Sequence, residues 1–282
     1  MQICDTIAGV RQAIRDLRAR DSNSSLGVVP TMGALHAGHM SLVDRARREN
    51  PIVAASIFVN PLQFGPNEDL AKYPRTFADD CAQLERAGVD LLFAPTPDEM
   101  YAESATTTVD PGPVATRLDG ASRPGHFIGV ATVVAKLFHI IQPDRAYFGQ
   151  KDAAQLAVLR QMARALNFPL ELIACPIVRD DDGLALSSRN RYLSPEERAQ
   201  ALILPRTLDG IAQRIAAGER NAAVLLAAGQ AFLQQQPQAV LDYLVIVDPN
   251  SLLPVPEAVP GSLIAIAARV GTTRLIDNFL IA

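Results

Sequence analysis

Apolar positions along this chain keep two alternating rhythms. Ile7, Val10, Ile14 and Leu17 recur three or four residues apart, so residues 6–20 are expected to form an amphipathic helix. The polar stretch Asp21–Ser25 reads as a loop, and Leu26–Pro30 as a short apolar strand. Helical spacing resumes at Met40–Ala46 and runs to about Asn50, where Pro51 ends it. Ile52–Val59 is a continuous run, apolar but for Ser56, which fits a parallel strand buried on both faces. The same reading predicts helices over Phe77–Ala87, Phe127–Ile141 and Asp152–Leu166. Between and after them it predicts strands over Val89–Ala94, Ala146–Phe148 and Leu170–Ala174.

Strand and helix in strict alternation predict an α/β fold with a mostly parallel, Rossmann-like sheet. The pattern changes after about Pro176. Ser194-Pro195-Glu196-Glu197 is a helix start, with a serine cap, proline at the first position and glutamate three after the cap. Helical stretches follow to about Gln235, around a break near Gly218. Leu241–Val247, Leu263–Ala268 and Thr273–Asp277 then read as strands. The expected division is a Rossmann-like domain over residues 1–177 and a smaller C-terminal α+β domain over 178–282.

Composition narrows the function. The 282 residues are 49% hydrophobic and 20% charged, ordinary for a globular enzyme, and carry a net charge of -4. Without a broad basic surface, nucleic acid is not the expected partner, and an anionic substrate must be held by a local cluster of donors. Cys4, Cys81 and Cys175 are odd in number and far apart, and read as free thiols of a reducing compartment. Met1–Asp5 has no signal-peptide character, and no apolar stretch is long enough to cross a bilayer. The expected location is the cytoplasm.

The densest chemistry is His36-Ala37-Gly38-His39, two of the four histidines around one glycine. It lies between a predicted strand and a predicted helix. The pair reads either as caps of the helix or as an anion site, because a strand-to-helix turn aims backbone N–H groups and the positive helix end at one spot. Three more polar segments follow predicted strands: Asn60–Phe64, Gly149–Asp152 and Val178–Asn190. In an open parallel sheet such segments gather at the carboxyl edge, where ligands bind. Lys151 reads as a cation over phosphate oxygens or as a solvated lysine. Ser187-Ser188-Arg189 offers two hydroxyls and a guanidinium, suited to phosphate, or a surface turn. Gln63 and Gln155 are neutral partners for a small polar substrate. Arg123 stands near the site or on the surface, and His139, within an apolar helix, is expected in the core. Asp79, Asp80 and Gln83 share one helix and would either hold Mg²⁺ through oxygen or form a solvated face. Walker-type, G-x-G-x-x-G and G-x-S-x-G signatures are missing, as is structural zinc spacing.

Taken in order, five stretches make the chain recognisable: Pro30–His39, Phe58–Phe64, Arg123–Phe127, Phe148–Asp152 and Gly183–Leu193, with Arg274–Asn278 fitting near the end. Together they resemble the pantoate–β-alanine ligase family of the His-x-Gly-His nucleotidyltransferase superfamily, over nearly the whole chain. The resemblance implies ATP-dependent condensation of pantoate with β-alanine through a pantoyl adenylate, giving pantothenate, AMP and pyrophosphate. It implies that His36 and His39 stabilise the phosphates, and that Lys151, Ser187, Ser188 and Arg189 hold the triphosphate and its developing charge. Pro30, Thr31, Met32, Gly38, Gly149, Gln150, Asp152, Val178 and Leu186 would line the ATP site. Gln63, Gln155, Met32 and Asn60 would bind pantoate, with Gln63 also meeting β-alanine. It further implies Mg²⁺ linked to Asp79, Asp80 and Gln83, a homodimer, and residues 60–75 as a mobile wall. Three positions depart from the family pattern: Gln150 and Asp119 replace glutamates, and Ala153 an aromatic. The rival readings are a simple adenylyltransferase of the same superfamily, an RNA-directed synthetase relative and a non-catalytic nucleotide-binding module.

Overall fold

Buried, unbroken apolar runs become the strands of a parallel sheet, and the helices between them cover it. The computed structural model describes residues 1–20, 24–65, 70–102, 106–235 and 238–282. Asp21–Asn23 of the expected loop and residues 66–69 of the expected wall lie outside the described residues. The first part runs β1 (Gln2–Cys4), α1 (Ile7–Arg20), β2 (Leu26–Thr31), α2 (Ala37–Glu49), β3 (Ile52–Ile57), α3 (Phe77–Arg86) and β4 (Leu91–Phe93). Two short helices follow, α4 (Pro97–Met100) and α5 (Asp119–Ser122), then α6 (His126–Ile141), β5 (Arg145–Gly149), α7 (Ala153–Ala165) and β6 (Glu171–Cys175). Beyond them come α8 (Pro195–Ala201), α9 (Ile203–Ala216), α10 (Ala222–Leu233) and strands β7 (Ala239–Val247), β8 (Leu263–Val270) and β9 (Thr273–Leu280).

The α/β reading holds. A six-stranded sheet has the order β1-β4-β3-β2-β5-β6, with every pairing parallel. From β2 the chain builds outward through β3 and β4, then returns to lay β5 and β6 on the other side. The switch point is therefore between β2 and β5. There the ladder is short. β2 pairs with β3 from Leu26↔Ile52 to Thr31↔Ile57, but with β5 only at Gly27↔Arg145 and Val28↔Ala146. Past Val28 the sheet parts, and Pro30 has no N–H to offer either neighbour. On one face of the sheet α2 packs Leu42, Val43 and Ala46 against Val29, Val53, Ala55 and Leu92. Tyr147, fully buried there, donates to Glu49 Oε2 at 2.8 Å and accepts from Asn50 Nδ2 at 2.7 Å. Burial, with the neighbouring Glu49 carboxylate, pushes its phenol up to about 12, so it stays a donor.

By contacts the chain divides into two compact units, Met1–Gly149 with Val158–Cys175, and Gln150–Ala157 with Pro176–Ala282. In the second unit, β7, β8 and β9 form an antiparallel sheet whose inner face packs on α9 and α10 through Ile211, Leu225, Leu244, Ile264 and Ile266. The capping box read from Ser194 and Glu197 is present: Ser194 N–H donates to Glu197 Oε2 at 2.8 Å, and Glu197 N–H to Ser194 Oγ at 3.2 Å.

Two expectations are corrected. β1 escaped the hydrophobic pattern because three residues on a sheet edge, with only Cys4 buried, leave no period to read. His139 is not a core residue: it is exposed on α6, its ring centroid 4.9 Å from that of Phe168.

Candidate active site

The turn after β2 is built by two consecutive residues with positive φ, Gly33 at 79° and Ala34 at 52°. It leads directly into α2, and His36 is the N-cap of that helix. His36 Nδ1 accepts from Gly38 N–H at 3.1 Å, and His36 N–H points at His39 Nδ1 at 3.4 Å. Capping and anion binding are thus compatible roles of one pair. A backbone N–H can only donate, so each Nδ1 must hold a lone pair, and the proton of each ring sits on Nε2. The two rings, 4.1 Å apart between centroids and half-buried, carry Nε2–H donors. Thr31, at the end of β2, spends its hydroxyl proton on Ser56 O at 2.7 Å and accepts from Gly33 N–H at 3.2 Å.

Gln63 closes a short 3-10 turn, Pro61–Gln63, and its amide orientation is fixed by neighbours. Asn60 Oδ1 accepts from Leu62 N–H at 3.2 Å and from the Tyr101 hydroxyl at 2.7 Å. Asn60 Nδ2 donates to Gly129 O at 3.1 Å and to Gln63 Oε1 at 3.1 Å. With its oxygen held, Gln63 turns Nε2 away, within 2.8 Å of Met32 Sδ. Burial pushes the Tyr101 phenol up, keeping it a donor. The Gln63 carbonyl receives His126 Nδ1 at 2.7 Å and Arg123 Nη2 at 3.4 Å, and Arg123 Nη1 lies 2.9 Å from His126 Nε2. Gly129 permits the close approach: a Cβ there would stand 2.2 Å from Leu62 O and 2.7 Å from Gln63 N.

Asn60 was expected to bind pantoate. It is 1% exposed, and two acceptances and two donations fill its amide, so it supports Gln63 instead. Arg123 and His126 belong to the same support. The sequence marked Arg123 only as near the site or on the surface, and gave His126 no role.

The Mg²⁺ positions can be tested against their chemistry. Asp80 is 1% exposed, and its two oxygens accept from Ala34 N–H and Leu35 N–H, each at 2.9 Å. Thr76 Oγ1 adds a third donor at 3.1 Å. A carboxylate so enclosed by donors does not fit a Mg²⁺ ligand. Asp79 is exposed and Gln83 half-buried on α3. Among the described residues, no three His, Cys, Asp or Glu side chains group as a metal site.

In the second unit, two expected site segments are tied to one dipeptide of β9. Asn278 Nδ2 donates to Gln150 O at 3.0 Å and Lys151 O at 2.9 Å, while Asn278 Oδ1 accepts from Gln150 Nε2 at 3.1 Å. The amide of Gln150 therefore has its own use: a glutamate there would set a carboxylate against Oδ1. Lys151, its side chain 20% exposed, lies 3.9 Å from Asp152, a loose pair that leaves the ammonium room for another anion. Gln155 is half-buried on the first turn of α7. Beside Asn278, buried Asp277 takes Arg179 in a fork, Nη1 at 2.6 Å and Nη2 at 2.9 Å.

Arg179 belongs to a hairpin in which Leu186 N–H donates to Val178 O at 2.9 Å and Arg179 bridges Ala185. Its tip is held by Arg198, which reaches Asp180 at 2.7 Å and Asp182 at 2.8 Å. Ser187 then caps the 3-10 turn Ser188–Tyr192 by accepting from Arg189 N–H at 3.3 Å. Ser187, Ser188 and Arg189 are half-buried along this turn. Asp277, Asn278 and Arg198 were missed as supports, although Arg274–Asn278 stood out as a stretch.

Proteins similar to this chain in sequence and in fold share one family. The chain matches the family described as pantoate-beta-alanine ligase over residues 2–280. It is 58% identical to pantothenate synthetase of Acidobacterium capsulatum, covering 100% of this chain and 97% of that one. It is 56% identical to that of Koribacter versatilis, covering 100% and 96%. The crystal structure of pantothenate synthetase from Thermus thermophilus superposes with a TM-score of 0.93 at 51% identity, covering 99% of each chain. Pantoate-beta-alanine ligase from Francisella tularensis, complexed with beta-gamma ATP and beta-alanine, gives a TM-score of 0.79 at 34% identity, covering 99% of this chain and 97% of that one.

Proposed function

The chain belongs to the pantoate-beta-alanine ligase family, and on that premise we propose that it joins pantoate to β-alanine through a pantoyl adenylate, with ATP as the activating substrate. A pantoate carboxylate oxygen attacks the α-phosphorus of ATP, and the bond to pyrophosphate breaks. The β-alanine amine then attacks the acyl carbon, the bond to AMP breaks, and the amine proton leaves to solvent. No covalent bond to the protein is needed; the protein aligns the reactants and stabilises charge on the departing groups.

His36 and His39 give Nε2–H donors to the phosphates as neutral rings. Lys151 and Arg189 supply full positive charge, and Ser187 and Ser188 hydroxyl donors. Thr31, Gly38, Gly149, Gln150, Asp152, Val178 and Leu186 serve the nucleotide. Gln63, whose oxygen is held by Asn60, gives its N–H to the oxygens of pantoate or β-alanine; Gln155 gives a second amide, and Pro30 and Met32 pack beside pantoate. The single observation that carries the reading is the Nδ1 bonding of the His pair, which aligns two donors at the start of α2.

The deciding experiment uses pantoate labelled with ¹⁸O in its carboxylate. Label should appear in AMP, and ATP–pyrophosphate exchange should need pantoate but not β-alanine. AMP without label would remove the acyl adenylate, and AMP release indifferent to β-alanine would favour a simple adenylyltransferase. The homodimer is part of the proposal, and a light-scattering mass of one chain would overturn it. Three free thiols suit a reducing cytoplasm, and no described helix is long and apolar enough to cross a membrane.

A further inference from the structure

The misfit between Asp80 and Mg²⁺ points to a different task. We infer that Asp80 is a positioning residue, which through the Ala34 and Leu35 N–H groups holds the turn that aims the His36 and His39 donors. The inference rests on the reading of those histidines as phosphate contacts.

Three observations carry it. The turn does not support itself, because Gly33 and Ala34 both have positive φ, and for alanine that conformation is strained. Successive N–H groups in such a turn converge on one point and form an anion nest. Here the anion is the protein's own: Ala34 N–H meets Asp80 Oδ2 and Leu35 N–H meets Oδ1, each at 2.9 Å. The next N–H along the chain, that of His36, points at His39 Nδ1 at 3.4 Å. Three consecutive amides thus pass from the carboxylate on α3 to the second ring of the pair. A shift of the turn would displace both rings together.

Space around the carboxylate is also committed. A Cβ on Gly33 would stand 3.0 Å from Asp80 Oδ2, so a side chain there would press on the carboxylate as well as strain φ. Thr76 Oγ1, from the residue just before α3, donates to both oxygens at 3.1 and 3.2 Å and fixes the carboxylate plane. With three donors on two oxygens of a 1% exposed group, little is left for a metal.

The test compares Asp80→Asn with His36→Asn and the unmodified chain. Asp80→Asn keeps the shape but turns one acceptor into a donor facing an N–H. It should lower kcat/KM for ATP by about 10–100-fold, since a small misplacement of catalytic groups costs on that order. The KM for β-alanine and the Mg²⁺ concentration giving half-maximal rate should stay where they were. Hydrogen exchange should quicken at Ala34 and Leu35 in the ligand-free protein.

A lower melting temperature with kcat/KM unchanged per folded molecule would reduce Asp80 to a structural residue and overturn the inference. A raised Mg²⁺ requirement would overturn it in favour of a metal ligand. If Asp80→Asn does not fold, Thr76→Val removes only the hydroxyl donor and should act in the same direction, more weakly; unchanged ATP kinetics there would count against the inference. If His36→Asn stays fully active, the phosphate reading fails and this inference with it. If His36→Asn is inactive and Asp80→Asn is not impaired, the inference alone fails.

Discussion

The donors of the first unit and those of the second are held in place by opposite chemistry. In the first, the proposed donors are neutral: His36, His39 and Gln63 are locked by backbone N–H groups, amides and a phenol. In the second, the proposed donors are cations and hydroxyls, and their scaffold is an ion pair and a side-chain amide grasping backbone carbonyls. Neutral donors need close orientation, since they attract an anion only along their N–H bonds, and the supports of both units lie nearly without exposure, Asn60 and Asp80 at 1% and Asn278 at 2%. A charge is more forgiving of angle, and among the described residues Lys151 makes a loose ion pair with Asp152 at 3.9 Å.

That contrast can be broken by mutation, most severely at the donors. His36→Asn should keep a good helix cap while deleting the Nε2–H, so kcat should fall about 10²–10³-fold with little change in melting temperature. Lys151→Ala should lose comparable activity but show a steeper dependence on ATP concentration; equal kinetics in both variants would erase the distinction. Next is Gly129→Ala, which drives a methyl into the Leu62 carbonyl and moves Gln63. Pantoate and β-alanine KM should rise and stability drop by about 1–3 kcal/mol, as seen by calorimetry. If KM for both is unmoved, Gln63 is not a substrate contact.

Asn278→Leu, at the corresponding support in the second unit, strands two carbonyls. It should cost about 1–3 kcal/mol and raise the ATP KM rather than that of pantoate. A pantoate effect instead would reverse the division of labour. The smallest effect is expected at Arg198→Ala. Hydrogen bonding to Arg198 holds the Asp182 carboxyl below its usual range. The pair therefore stabilises the hairpin above the ordinary carboxylate pKa and loses that contribution as pH falls through the depressed value. Both groups are about one-third exposed, so the loss at neutral pH should be about 0–1 kcal/mol, and urea melts of the two proteins should converge in acid.

How much was legible follows the same line. The residues proposed to meet the ligands announce themselves because their types are unusual where they stand, as with two histidines around Gly38 or Lys151 at the start of a helix. The strands and helices of the first unit were readable because both faces of a parallel sheet are buried, leaving nearly continuous apolar runs such as Ile52–Ile57. Supports carry no such mark. Asp80 reaches amides 45 and 46 residues away, and Asn278 carbonyls 127 and 128 away, and neither separation has a local signature. Asp80 and Asp79 look alike in sequence; only burial separates an internal anion from a solvated one. Asn60 misled in the same way, because an amide beside Gln63 reads as a second substrate contact until its four hydrogen bonds are counted.

The parting of β2 from β5 after Val28 has one more consequence. An opening made by an element that swings away exists for only part of the time, and a ligand's apparent affinity is reduced by that fraction. This opening is an omission in a ladder, and Pro30 makes part of the omission covalent, since no rearrangement can give that residue an N–H. A molecule entering between the carboxyl ends of β2 and β5 has no backbone bond to Pro30 N to displace. The missing donor is written into the sequence rather than produced by motion, and it stays missing under any substitution that leaves residue 30 a proline.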